Sequence, residues 1–358
     1  MTSAAIRMET DASARPLRVL LVDDSATVRT TLRRALESTG EVEIVGLAED
    51  GVQALEMART LRPDVVTLDV EMPRMGGLET LERLMAETPM PVVMLSSHTV
   101  AGAEITIRAL ELGAIDFVEK PSFAGLRNGA AASIVEHIRD ASRARMHRPR
   151  PAAARRPAPP ARTGGWKQRI LVIGASTGGP QAVREVLTNL PPDFGLPVVV
   201  VQHMPPTFTR SLAERLNTLG PLRVMEAEAG MSMQAGTVLL APGGSHMEFD
   251  AQRRVLLTQG PPEHGVRPAV NVTMASIAAI PDAQPIGVIL TGMGRDGVRG
   301  CEALRRAGAT IITEAQSSCV VYGMPRAVAE AGLSDEVHPL DEIAPAIVRH
   351  ARAGIAGR

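Results

Sequence analysis

Polar residues of a few chemically useful types stand at the ends of apolar runs along this chain. In the first half, LRVLLV (residues 17–22) runs into Asp23 and Asp24, and DVVTL (64–68) into Asp69. PVVML (91–95) runs into Ser96, and AIDFV (114–118) into Lys120 of EKP. Three carboxylates converging on one edge repel each other unless a cation sits between them. Hard oxygen donors with room for water suit Mg²⁺. A lysine and a hydroxyl beside them suit a phosphoryl group. Asp24 alone would read as a helix N-cap. Five such residues at four run ends argue for a site.

The second half repeats the pattern with different chemistry. IGASTGGP (173–180) follows the apolar run RILV and precedes the helix-like QAVREVLTNL. As a glycine-rich turn it could cradle a phosphate. As Gly174–Ala175–Ser176–Thr177–Gly178 it fits G-x-S-x-G, which lifts a serine nucleophile onto a sharp turn. LPVVVVQ (196–202) runs into His203, and PIGVILTG (285–292) leads through MGRDG to Asp296. Serine, histidine and aspartate on three run ends are the constellation for acyl transfer: Ser176 attacks, His203 takes its proton, and Asp296 orients the imidazole. Each has a plainer reading, as a helix cap or a core histidine, but the three together favour the triad. The order Ser…His…Asp is not that of the α/β-hydrolases. The loop lacks G-x-G-x-x-G, and the chain has no P-loop motif.

The elements that must hold these residues alternate. The continuous Val/Leu/Ile runs read as parallel strands buried on both faces, separated by helical segments such as SATVRTTLRRALES and GVQALEMARTL. Five βα units predict a doubly wound sheet in the first half, with its site at the carboxyl ends of the strands. In the second half, strands at 169–174, 196–202, 222–227, 237–242, 285–292 and 309–315 predict a second parallel α/β unit. HMEFD and RRVLLTQ (246–259) read as an inserted β-hairpin.

Composition bounds the rest. The 358 residues suggest two domains. With five Phe, one Trp and one Tyr, the cores are built from aliphatic residues and Met. A formal net charge of −1 gives no pull toward nucleic acid or membrane. Two cysteines, Cys301 and Cys319, read as reduced thiols in a cytoplasmic protein. No apolar run reaches the roughly 18 residues of a spanning helix. Ser142–Arg162 holds seven Arg and five Pro and no acid, so it reads as a linker that cannot bury enough surface to fold. The expected organisation is a tail over 1–15, a domain over 16–141, a linker over 142–165 and a second domain over 166–358.

LLVDDS, LDVEMPRMGG, MLSS and DFVEKP resemble the phosphoacceptor receiver domain of two-component response regulators. The resemblance implies a flavodoxin-like fold with Asp69 as phosphoacceptor. It implies Mg²⁺ held by Asp23, Asp24, Asp69 and the backbone carbonyl of Glu71, with Ser96 and Lys120 on the phosphoryl oxygens. Phe117 takes the aromatic switch position. IGASTGGP, VVVQHMP, LLAPGGSHM, VILTGMGRDG and VVYGMPRAV are similar to the catalytic domain of chemotaxis receptor methylesterases. That resemblance implies a Rossmann-like domain whose triad is Ser176, His203 and Asp296. Thr177 and the N–H of Met293 form its oxyanion hole, and ester hydrolysis needs no cofactor. It further implies γ-glutamyl methyl esters of chemoreceptors, and certain receptor glutamines, as substrates. A chemotaxis histidine kinase is then the phosphodonor, and an unphosphorylated receiver covers the cleft.

Two stretches depart from the family pattern: Ala269 and Asn271 within GVRPAVNV, where the family commonly reads RPSVD, and ITEAQSSCVV at 312–321, where it commonly reads QDEASCVV. Neither is expected to touch the triad; both are expected to bear on substrate contacts or the domain interface, and His246 either lines the cleft or simply packs. The competing class is a non-enzymatic response regulator whose second domain binds nucleotide, nucleic acid or protein. The absence of an obvious basic recognition helix argues against DNA.

Overall fold

A computed structural model describes residues 15–97, 99–120, 130–144 and 169–353. The expected tail (but for Arg15) and the expected linker from residue 145 onward lie outside the described residues.

The first unit runs β1 (Leu17–Val22), α1 (Ala26–Glu37), β2 (Val42–Ala48), α2 (Gly51–Leu61), β3 (Val65–Asp69), α3 (Gly77–Glu87), β4 (Val92–Ser96), α4 (Val100–Leu112), β5 (Asp116–Glu119) and α5 (Ala130–Arg143). Its sheet is parallel, in the order β2-β1-β3-β4-β5. Strand side chains alternate between two cores. Val19, Leu21, Val93 and Leu95 pack with Leu32, Leu36, Ile134 and Ile138 of α1 and α5. Leu20, Val22, Val66, Leu68 and Met94 pack with residues of α2, α3 and α4 such as Leu55, Leu84 and Ile107. The chain leaves β1 for β2 on one side and returns to β3 on the other. The switch point therefore opens beside the carboxyl ends of β1 and β3.

The second unit has seven parallel strands in the order β14-β13-β12-β6-β7-β9-β8. They are β6 (Arg169–Ala175), β7 (Val198–Gln202), β8 (Arg223–Glu226), β9 (Thr237–Leu240), β12 (Gln284–Ile289), β13 (Thr310–Glu314) and β14 (Glu336–His338). The antiparallel hairpin β10 (His246–Phe249) and β11 (Val255–Thr258) stands apart, as the sequence predicts. One face of the large sheet carries α6 (Gly179–Asn189), α7 (Pro206–Leu219) and α11 (Leu340–Ala353); the other carries α8 (Val270–Ala278), α9 (Val298–Arg306) and α10 (Met324–Glu330). β6 lies between β12 and β7, so this sheet's switch point opens at the end of β6.

The two units pack against each other. α4 of the first lies on α7 of the second, and the Phe117 and Phe208 rings stack with centroids 4.2 Å apart. Arg215 of α7 holds Glu111 of α4 with two bonds of 2.8 Å. The Gln181 side-chain amide donates to Leu110 O.

Candidate active site

Three strand ends meet at the switch point of the large sheet. The chain leaves β6 at Ala175 and turns through Ser176, Thr177 and Gly178 into α6. Gly178 sits at φ +75°, and a Cβ on Gly179 would fall 2.0 Å from Gln202 Oε1. Glycine is what lets the backbone turn and close up here. The N-cap of α6 is Gly178, with no side-chain cap, so Ser176 is not engaged as a cap and remains partly accessible. Its N–H donates to Thr291 O at 3.1 Å. Its carbonyl accepts from the Gln202 side-chain amide at 2.9 Å.

His203 follows β7, and its Nε2 lies 2.8 Å from Asp296 Oδ2. Asp296, in the loop before α9, is buried. Its Oδ2 also accepts from Val270 N–H at 2.6 Å, and its Oδ1 from the N–H groups of Asn271 and Gly297, both at 2.9 Å. Burial works to raise the carboxyl, but His203 and the backbone donors outweigh it and hold Asp296 below the ordinary carboxylate range. With Nε2–H given to Asp296, the neutral ring carries its lone pair on Nδ1. Ser176 and His203 line one cavity of about 530 Å³. Among the described residues no hydrogen bond joins the Ser176 hydroxyl to the His203 ring. Such bonds commonly tighten only with substrate bound.

The opposite wall of this cavity belongs to the first unit: Asp116, Phe117 and Val118 of β5, and Ile134 and His137 of α5. Thr177 Oγ1 donates to Asp116 Oδ2 at 2.8 Å, and His137 Nδ1 lies 3.0 Å from that same oxygen. Burial alone would lower His137. The Asp116 charge and hydrogen bond, with Asp140 and Glu136 nearby, raise it overall. Met293 sits in the loop after β12 and is 39% exposed.

The other switch point gathers the acidic residues. Asp23, Asp24 and Asp69 offer oxygens all within 4.8 Å of one another, the first and last buried and Asp24 exposed. Lys120 Nζ lies 2.8 Å from Asp23 Oδ2 and 2.6 Å from Asp69 Oδ2. Burial pushes Asp69 up to about 6 despite Lys120. Two buried carboxylates and one open to water form a hard donor set, which fits Mg²⁺. Ser25, not Asp24, caps α1. Glu71 N–H donates to Asp69 Oδ1 at 3.3 Å, which keeps its backbone beside the cluster. Ser96 is buried, and its hydroxyl accepts from Thr106 Oγ1 at 2.8 Å and lies 3.3 Å from Gly102 O, both of α4.

Several contacts correct or extend the sequence reading. Asn271 and Ala269 are buried behind Asp296 rather than at a substrate or domain surface, and, against expectation, Asn271 touches the triad through its N–H on Asp296. His246 is buried with both ring nitrogens used, Nδ1 by Ala269 N–H and Nε2 by Pro261 O, so it packs rather than lining the cleft. In the second departing stretch Glu314 is buried and accepts Thr291 N–H at 2.8 Å, bracing the loop that carries Met293, while Val320 packs against the first unit's core and does touch the domain interface. Asp116 joins the site without a sequence signal, since its partner Thr177 is distant in the chain, whereas Gln202 is legible as a polar strand end but not its bond to Ser176 O.

The CheB methylesterase family matches residues 171–347, and the response regulator receiver domain matches residues 19–128. The protein-glutamate methylesterase/protein-glutamine glutaminase of Symbiobacterium thermophilum is 50% identical, over 95% of this chain and 98% of that protein. The chain belongs to this methylesterase family. A relative of the same description from Salmonella typhimurium is 45% identical over 96% of this chain and 99% of its own length. The solved catalytic domain of Thermotoga maritima CheB methylesterase is 44% identical, covering 51% of this chain and 97% of that one, with a TM-score of 0.49. This methylesterase-family chain joins a receiver domain to a methylesterase domain on one polypeptide. Among the described residues no helix is long and apolar enough to cross a membrane.

Proposed function

We propose that the chain hydrolyses γ-glutamyl methyl esters on chemoreceptors and deamidates certain receptor glutamines, serving chemotactic adaptation in the cytoplasm. The observation that carries this is the His203–Asp296 pair, its carboxylate buried, with His203 and Ser176 lining one cavity. Ser176 Oγ attacks the ester carbonyl carbon while His203 Nδ1 takes the hydroxyl proton. Asp296 stabilises the imidazolium that forms. Thr177 and the Met293 N–H hold the oxyanion. The C–O bond to methoxide then breaks, and His203 returns the proton so that methanol leaves. Water, deprotonated by His203, attacks the acyl-serine and releases the glutamate carboxyl group and free Ser176. For glutamine, ammonia leaves in place of methanol.

The receiver gates this chemistry. A histidine kinase supplies a phosphoryl group to Asp69. Asp23, Asp24, Asp69 and the Glu71 carbonyl would hold Mg²⁺, which when bound would supply charge neutralisation at the transferred oxygens. Lys120 and Ser96 then hold the phosphoryl oxygens. The Asp116–Thr177 bond supports inhibition by docking, because it occupies a proposed oxyanion donor. If docking closes about 99% of molecules, relief of about 2.7 kcal/mol opens half.

The test is methanol release from methylated receptor membranes with and without a small phosphodonor. The full chain should release methanol faster with it. Ser176→Ala should release essentially none while still taking up phosphate at Asp69. Release by the alanine variant overturns the nucleophile assignment; equal rates without and with phosphodonor overturn the gating.

A further inference from the structure

The loop that delivers Asp296 is held by one residue with no assigned role. α9 begins at Val298 behind Gly297, which has φ +100° and offers no side chain to cap the helix. Its first turn nevertheless has an acceptor. Asn271 Oδ1, reaching across from α8, accepts Gly297 N–H at 2.9 Å and Gly300 N–H at 2.8 Å. Asn271 N–H donates to Asp296 Oδ1 at 2.9 Å, and Asn271 Nδ2 donates to Glu263 Oε1 at 2.7 Å. The side chain is buried with its carbonyl and amide both engaged. A Cβ on Gly300 would lie 3.1 Å from Asn271 Cα, so the two elements meet at backbone distance.

We propose that Asn271 is a positioning residue for the Asp296–His203 pair, acting as an uncharged cap supplied by another helix. This rests on the reading of Asp296 and His203 given above. The side-chain carbonyl ends the α9 donors, and the backbone N–H aims the Asp296 carboxylate at His203 Nε2. Neutrality is the second half of the role. An aspartate here would keep an acceptor for the two capping N–H groups, but it would stand beside Asp296 and face Glu263. Asp296 is otherwise faced by His203 and by Cys301 of α9, whose thiol burial pushes up to about 12 and keeps neutral. Glu263 has Arg299 at 3.5 Å and His264 at 4.0 Å. An added negative charge at 271 favours the imidazolium form of His203, so the base becomes neutral only at higher pH.

The experiment measures kcat, KM and the pH profile of methanol release by the full chain with phosphodonor. Asn271→Ala should lower kcat on the order of ten- to a hundredfold with KM little changed, because the pair is misaimed rather than the substrate unbound. Asn271→Asp should keep more activity than alanine, with the acid limb of kcat/KM moved up by about one pH unit. A wild-type kcat in the alanine variant, or an unmoved acid limb in the aspartate variant, overturns the proposal. Should the charge beside Asp296 and Glu263 unfold Asn271→Asp, the kcat of the alanine variant alone decides the proposal. His203→Ala is run alongside. If it stays active, the triad reading fails; if it is inactive while both Asn271 variants match wild type, only this inference fails.

Discussion

At the scale of single residues, what matters is how each charge is compensated. Asp296 is buried yet ionised because three backbone N–H groups and one imidazole converge on it. A carboxylate so placed holds its partner histidine in one tautomer and one orientation. A second clasp lies far from the site. Glu336 of β14 bonds His338 Nε2 at 2.6 Å and His350 Nε2 at 2.7 Å, which ties the edge strand to α11. These two imidazoles, with Arg349, hold its carboxyl down at about 2. A carboxylate with a depressed folded-state pKa contributes stability above its unfolded value, and that contribution is lost as pH falls through the folded value. Glu336→Gln should therefore lower the melting temperature at pH 7 by roughly a degree or two, as suits a solvent-screened cluster. The difference should shrink between about pH 4.5 and about pH 2. Thermal melts across that range check it; a gap that persists at the acid end would mean packing rather than charge.

At the scale of elements, the site depends on how closely the β6 turn and the loop after β12 approach. Thr291 joins them: its carbonyl accepts Ser176 N–H, and its hydroxyl donates to Thr177 O at 3.0 Å. Gly292 follows, where a Cβ would lie 2.7 Å from Ser176 Cβ and 2.6 Å from Met324 Sδ. Gly292→Ala should thus push the loop from the proposed nucleophile. A shift of about 1 Å is enough to cost up to a hundredfold in rate. Methanol release should fall at least about tenfold while circular dichroism shows a folded chain; full activity would mean the loop moves without consequence. The continuous apolar runs and helical patterns that form these elements were readable in the sequence. The short β14 and the helices α10 and α11 were not predicted. Three residues in EVH carry too little pattern, and Pro345 interrupts the last helix.

At the scale of the whole molecule, receiver and hydrolase share a cavity wall. Apolar contact between α4 and α7 and the Phe117–Phe208 stack supply the burial, while the Glu111–Arg215 pair fixes register. A partly exposed ion pair contributes about 0.5–1 kcal/mol. If docking inhibits, Arg215→Ala should raise methanol release by the unphosphorylated full chain about two- to fivefold. With phosphodonor, variant and wild type should converge. Release unchanged in the unphosphorylated variant would show that this contact does not hold the closed state.

The sequence by itself determined the two α/β sheets, the hairpin insertion and the polar residues waiting at strand ends. These follow from local periodicity, and strand ends must lie at one edge of a parallel sheet. Tertiary structure alone decided that Asp116 reaches Thr177 across the interface, that Asn271 caps a helix not its own, and that Glu314 braces Thr291. Each is a hydrogen bond between residues more than twenty positions apart. A lone Asp, Asn or Glu carries no periodic signal, and only the packing of layers selects its partner.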